Sequence, residues 1–163
     1  MLCKQRKKET SQPEMCQIFF VKTSEGAVKP KKAYVGSAGY DVFAAEEAII
    51  PPNEVVLVDL GLKMLSISHG WHLRINSRSG LASKENIEVA GAPTIIDSDF
   101  TGNIKVPLRN LNKDKSYKIE RNDRIAQMTA EHSYHINFYE MKEESEEEEL
   151  TARGSNAFGS SGK

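Results

Sequence analysis

Cysteine is nearly absent from this chain: only Cys3 and Cys16 carry thiols, and a bridge between them would close a small loop and staple no core. Free thiols in a reducing, intracellular compartment, cytoplasmic or nuclear, are therefore expected. No apolar run approaches the roughly 20 residues of a membrane-spanning helix. The opening residues MLCKQRKKETSQPE also lack the apolar stretch of a secretory signal, so the protein is expected to be soluble, without a membrane partner. A net charge of −1 lacks the excess of Lys and Arg that grips nucleic acid through its phosphates. No nucleic-acid partner is expected, while a small anionic ligand remains open. There is no GxSxG elbow or Walker loop, and both cysteines lie outside the expected core, so covalent acyl transfer and P-loop hydrolysis have no basis. His132 and His135 are three apart in a strand-like stretch and face opposite ways, with no Cys or third His nearby in sequence to complete a zinc site.

What the chain does have is a polar excess, 39% hydrophobic against 28% charged residues, and the excess sits at its ends. Residues 1–15, with Lys4, Arg6, Lys7 and Lys8, read as a disordered basic arm. Residues 16–141 read as one domain. Residues 142–152, opening on Lys-Glu-Glu-Ser-Glu-Glu-Glu-Glu, form a self-repelling acidic linker, and 153–163 a Gly- and Ser-rich arm that orders only on a ligand or partner.

Within the domain, short β-branched or alternating stretches separated by turns predict an all-β sandwich or barrel. Strands are expected from Ile18 and over 54–59, 70–75, 102–108, 125–132 and 136–139. Turns are expected at Pro51-Pro52-Asn53 and 112–114, and a helical turn or two over 81–86. Pro107 removes a ladder donor and predicts an edge or a bulge there.

Two segments suit phosphate. Asn76 to Ala82 (NSRSGLA) follows a strand and opens a helical turn, so small residues let backbone amides approach an anion while Arg78 supplies a planar double donor. The C-terminal arm has the same composition. Two acids, Asp41 in Ala38-Gly39-Tyr40-Asp41 and Asp97 in Ile95-Ile96-Asp97-Ser98-Asp99-Phe100, end apolar stretches, where they serve either as turn caps or as functional carboxylates. Phosphate donors combined with two acids suggest metal-assisted phosphate chemistry.

In order and spacing, these segments resemble the five motifs of the trimeric deoxyuridine triphosphate pyrophosphatase (dUTPase) family. They are Ala38–Asp41, Ser77–Ala82, Thr94–Gly102, Asp123–Gln127 and Arg153–Gly162, and the resemblance covers nearly everything from Ile18 to Gly162. It implies a jelly-roll-like β-barrel in a homotrimer with swapped C-terminal arms and active sites shared between chains. It further implies Mg²⁺-assisted hydrolysis of dUTP to dUMP and pyrophosphate. Carried over by position, Asp97 holds the attacking water. Asp41 and Gln127 meet Mg²⁺ through water, the ion itself being held mainly by substrate phosphates. Arg78, Ser79, Gly80, Lys105 and Gln127 face the nucleotide, with Gly91, Thr94 and Ile96 in the hairpin that reads uracil and Phe100 packed under deoxyribose. From the arm, Arg153, Gly159, Ser160 and Ser161 reach the phosphates and Phe158 stacks on the base.

The chain departs from the family pattern at Ser77 (proline elsewhere), Thr94 (glycine), Phe100 (tyrosine), Asn122 (glycine) and Asn156-Ala157 (a glycine pair). Ser77 is expected to loosen its turn, Asn122 to tolerate a left-handed backbone, and the losses at 94 and 156–157 to restrict the backbone. The alternatives are a dCTP deaminase-like enzyme of the same fold and a catalytically weak regulatory binding protein.

Overall fold

The computed structural model describes residues 15–140; the basic arm up to residue 14 and everything from residue 141, including the acidic linker and the arm residues Arg153, Phe158, Gly159, Ser160 and Ser161, lie outside the described residues. The strands in chain order are β1 (Ile18–Lys22), β2 (Tyr40–Phe43), β3 (Ala48–Ile50), β4 (Val55–Ile67), β5 (Trp71–Asn76), β6 (Ile87–Val89), β7 (Thr94–Ile96), β8 (Asn103–Asn110), β9 (Tyr117–Ile119) and β10 (Arg124–His132). The expected helical turn is a single π-helical one, Leu81–Glu85, closed by Asn86 at φ 56°.

Side chains alternate across the pleat, so one face of each strand can be apolar while the other is polar. β8 shows this most plainly: Ile104, Val106 and Leu108 are buried and the residues between them are not. Two four-stranded sheets, ordered β1-β4-β8-β6 and β2-β10-β5-β7, turn such faces toward each other in the jelly-roll manner, and β3 pairs with β9 beside them. The shared core is aliphatic, with Val58, Leu60, Leu62 and Met64 of β4, Leu73 and Ile75 of β5, and Val42, Ala126 and Met128 from β2 and β10. Each fully buried Leu or Ile contributes about 1.5–3 kcal/mol.

β4 is kinked where its pairing with β8 slips between Asp59 and Lys63. Gly61 sits in the slip with φ +63°, and a Cβ there would run into the side chains of Ser24, Ala27 and Ala45. The Asp59 carboxylate accepts the Gly61 N–H at 2.6 Å and holds the kink. Asn110, the one fully buried amide among the described residues, is saturated: its Nδ2 donates to the carbonyls of Ile50 and Lys115 at 2.9 and 2.8 Å, and its Oδ1 accepts from Asn112. Asn112 in turn donates to the Glu85 carbonyl at 2.8 Å and ties the π-helical turn to the end of β8.

Two expectations are corrected. Pro107 is not on an edge strand, because β8 lies between β4 and β6, and the ladder slip falls elsewhere. The Pro107 carbonyl accepts the Ala90 N–H at 2.7 Å. A residue's N–H and C=O face the same antiparallel neighbour, so the missing donor points where β6 has just ended and interrupts no ladder. The stretch 136–139 forms no strand. Its apolar residues are bare instead: Tyr134, Ile136, Phe138 and Tyr139 are 83, 69, 90 and 80% exposed. The alternation predicted a strand, but no described strand of this chain pairs with it.

Among the described residues, Asn122, Asn53 and Asn86 are the non-glycine residues with positive φ, which accords with asparagine's tolerance of that region. Thr94 is not among them and begins β7, so the loss of glycine there brings no backbone strain. Cys16 is a free thiol, and among the described residues no helix is long and apolar enough to cross a membrane.

Candidate active site

Asp41 emerges as the centre of a charge cluster. β2 places it opposite Gln127 of β10, and its side chain is only 5% exposed. A buried carboxylate is costly unless paired, and this one is paired three times. Arg78 Nε lies 3.5 Å from Oδ1, Arg124 Nη1 3.4 Å from Oδ2, and Gln127 Nε2 donates to Oδ1 at 3.3 Å. The turn-cap reading of Asp41 is thereby set aside.

Arg78 also donates through Nη1 to the Arg124 carbonyl at 2.7 Å, so its guanidinium is fixed from two directions. Beside it opens a depression of about 200 Å³ lined by Arg78, Leu81, Tyr117, Asp123 and Arg124 among others. Ser79 and Gly80 stand exposed next to Arg78, leading into the π-helical turn. Burial, aided by Glu85 and Asp123, pushes the Tyr117 hydroxyl above its ordinary range, so it stays a neutral donor. Arg124 and Tyr117 were not singled out from the sequence. Arg124 was legible only as part of the segment Asp123–Gln127, and Tyr117 carried no signal because its position depends on the β3–β9 pairing.

Ser77 behaves differently from its expectation. Its Oγ accepts the Val89 N–H at 2.9 Å, so the hydroxyl fastens the turn where loosening was expected.

Asp97 stands apart from this cluster. It closes β7, in a turn where the Phe100 N–H donates to its carbonyl at 3.1 Å. Among the described residues its carboxylate has no hydrogen-bond or ion-pair partner. Asp97 lines a second depression of about 140 Å³ with Ile95, Ile96, Phe100, Ile104 and Lys105. The Phe100 ring lies over Gly102, where a Cβ would come within 2.6 Å of it. Lys105 reaches toward Asp59 at 3.9 Å. Gly91, at φ +69°, supplies the left-handed residue of the turn before β7. That turn is not a hairpin: β6 pairs with β8 and β7 with β5, so the chain crosses from one sheet to the other.

The structure therefore gathers the expected residues into two groups. Leu73 pairs with Ile96, which sets Asp97 beside His72 in register. Arg78 follows the other end of β5, two residues after Asn76, and His72 to Asn76 alone spans about 13 Å at roughly 3.3 Å per residue. Asp41, Arg78, Ser79, Gly80 and Gln127 form one group and Ile96, Asp97, Phe100 and Lys105 the other, with Gly91 and Thr94 in the crossing turn.

A two-sheet jelly roll that presents a clamped Asp–Arg–Gln cluster at one place and, among the described residues, an unpartnered carboxylate beside an aromatic ring at another has the donors and the acid suited to phosphate hydrolysis. The dUTPase family profile matches residues 25–162, and the chain belongs to that family. It is 40% identical over 146 residues to the deoxyuridine 5'-triphosphate nucleotidohydrolase of Helicobacter pylori J99, covering 90% of this chain and 97% of that one. It is 37% identical over 147 residues to the mitochondrial human protein of that name, covering 90% and 55%. Among solved structures, the Staphylococcus bacteriophage 80alpha dUTPase with dUPNHPP superposes with a TM-score of 0.74 at 26% identity, covering 90% and 98%.

Proposed function

We propose that this chain hydrolyses dUTP to dUMP and pyrophosphate, in active sites shared between the chains of a homotrimer. The observation that carries the reading is the division of the site residues into two groups at opposite ends of β5. Among the described residues of one protomer, the Arg78 group is centred on a carboxylate, Asp41, that is already paired, and the Asp97 group has an unpartnered carboxylate with no guanidinium lining its depression. Abutting the Asp97 group of one copy and the Arg78 group of the next makes a complete site, and a closed three-fold ring repeats that contact without leaving an unused surface. The bare side chains of Tyr134, Ile136, Phe138 and Tyr139 support the same reading, since a segment patterned as a strand and unpaired in its own chain is suited to a neighbouring copy.

In such a site the exposed Asp97 carboxylate orients water toward the α-phosphorus and takes its proton. The new P–O bond forms as the bond to the bridging oxygen breaks, and pyrophosphate leaves with that oxygen. Arg78, with amides of the Ser79–Gly80 segment, meets the charge accumulating on the leaving group, and its clamping by Asp41 and the Arg124 carbonyl means little reorganisation is needed. Lys105 adds a cation on the Asp97 side. Phe100 packs under deoxyribose, while the backbone of Gly91 to Ile96 meets the uracil edge. Arg153, Phe158, Gly159, Ser160 and Ser161 close over the nucleotide from the arm.

Mg²⁺ fits this donor set as a water-bridged ion. Both oxygens of Asp41 already face guanidinium or amide donors, and among the described residues no group of three or more His, Cys, Asp or Glu side chains is placed to hold a metal. Asp41 and Gln127 are suited to hold the ion's waters, the phosphates supplying the direct ligands. When bound, the ion supplies charge neutralisation on the pyrophosphate.

The test is to incubate the purified chain and Mg²⁺ with dUTP, dCTP, dTTP or UTP and measure pyrophosphate. Release is expected from dUTP alone, and Asp97→Asn is expected to abolish it. Equal rates on dTTP would overturn the specificity, and ammonia release from dCTP would favour a deaminase.

A further inference from the structure

We infer that Ser77 is a positioning residue for the phosphate-binding segment, acting by clasping it to the edge of the opposite sheet. β6 is an edge strand bonded only to β8. The Ala90 N–H points toward β8 and donates to Pro107. Successive N–H groups along a strand point to opposite sides, so that of Val89 points off the free edge. Val89 is 2% exposed, and a buried N–H needs a partner. The partner is the Ser77 hydroxyl, at 2.9 Å and twelve positions away in sequence.

Ser77 follows directly on β5, which belongs to the other sheet, so the bond joins the two sheets at the point where the chain leaves β5 for Arg78. Arg78 is held on its far side by Asp41 and by the Arg124 carbonyl. Ser77 completes the restraint from the near side. Its hydroxyl does what a proline in that place cannot, accepting the donor left over at the end of β6. The clasp also fixes the phosphate segment relative to the Gly91 turn, because that turn begins at the same Val89, whose carbonyl accepts the Ala92 N–H at 3.2 Å.

The functional part of this inference rests on the dUTPase reading. The test uses the full chain with Ser77→Ala and Ser77→Thr, a non-hydrolysable imido analogue of dUTP, and dUMP as the ligand with a single phosphate. In Ser77→Ala, analogue binding is expected to weaken about fivefold, the size of one net hydrogen bond, with dUMP binding unchanged and KM for dUTP rising more than kcat falls. Ser77→Thr, which keeps the hydroxyl, is expected to restore both. An analogue-to-dUMP affinity ratio that stays at the parental value in Ser77→Ala overturns the positioning role, even if thermal stability drops. The clasp itself is read without substrate, by hydrogen exchange of the Val89 amide. Slow exchange is expected in the parent and in Ser77→Thr, and fast exchange in Ser77→Ala. Fast Val89 exchange in the parent overturns the inference whether or not Ser77→Ala folds. A parent with a protected Val89 that binds no dUTP analogue defeats the dUTPase reading instead.

Discussion

At the scale of single residues, the two acids of this chain have opposite environments and therefore opposite mutational signatures. Asp97 is exposed and without a partner among the described residues, so Asp97→Asn should leave the melting temperature within about two degrees of the parent's, since exposed substitutions usually change stability by no more than about 0.5 kcal/mol. Turnover should fall by about a hundredfold or more. Asp41 is buried among two guanidiniums and an amide. Asp41→Asn should lower stability by about 1–3 kcal/mol in a denaturant titration, discounted because the Arg124 side chain is 52% exposed. Cys16 offers a third residue-level check: burial raises its thiol pKa against the lowering effect of Ser68. At pH 8 less of it is thiolate than in an unfolded chain, so peptide-mapped alkylation should be slower in the native protein than in denaturant. Both acids were legible as candidates from the sequence, because an acid ending an apolar stretch stands out. Their difference was not, since it depends on Arg124 and Gln127 arriving from more than eighty positions away. The role of Ser77 was hidden because its partner, Val89, belongs to β6 on the opposite sheet.

At the scale of elements, strands with a clean period of two were readable and short ones were not. β8 and β10 carry long alternating patterns and lie close to their expected places, whereas the three-residue strands β3, β6, β7 and β9 are too short for any periodicity: β6 and β7 pair with longer strands, and β3 and β9 only with each other. The stretch 136–139 shows the converse: a strand pattern without a partner makes no strand. The kink in β4 is the element most sensitive to a single change. Gly61→Ala must place a Cβ against Ser24, Ala27 and Ala45 while holding a left-handed backbone, and should cost about 2–5 kcal/mol in chemical denaturation, adding the penalties for overpacking and handedness. If Gly61→Ala loses less than about 1 kcal/mol, the kink is not the constraint it looks to be.

At the scale of the whole molecule, the two-group arrangement predicts complementation. Asp97→Asn and Arg78→Ala chains should each be inactive as homotrimers. Co-expressed in equal amounts and assembled at random, they should recover about a quarter of parental activity per site, because a site formed between two chains draws both intact halves one time in four. Zero recovery would mean that each chain builds its site alone. Sedimentation of the parent should give three times the chain mass, and a monomer would remove the geometric basis for the shared site. The fold class and the five-segment order were legible in the sequence. The division of the four described segments into two places was not, because adjacency along the chain does not say which end of β5 each segment meets.

The exposed row Tyr134, Ile136, Phe138 and Tyr139 has a further consequence, for kinetics. If a neighbouring chain covers these side chains, the last step of folding is second order or higher in protein, so its rate and yield depend on concentration. Dilute refolding should then stall at a species with a native core and little activity that binds a hydrophobic dye, and concentrating the sample should rescue it. A freshly made chain would therefore be complete in its own core yet inactive until it meets others of its kind.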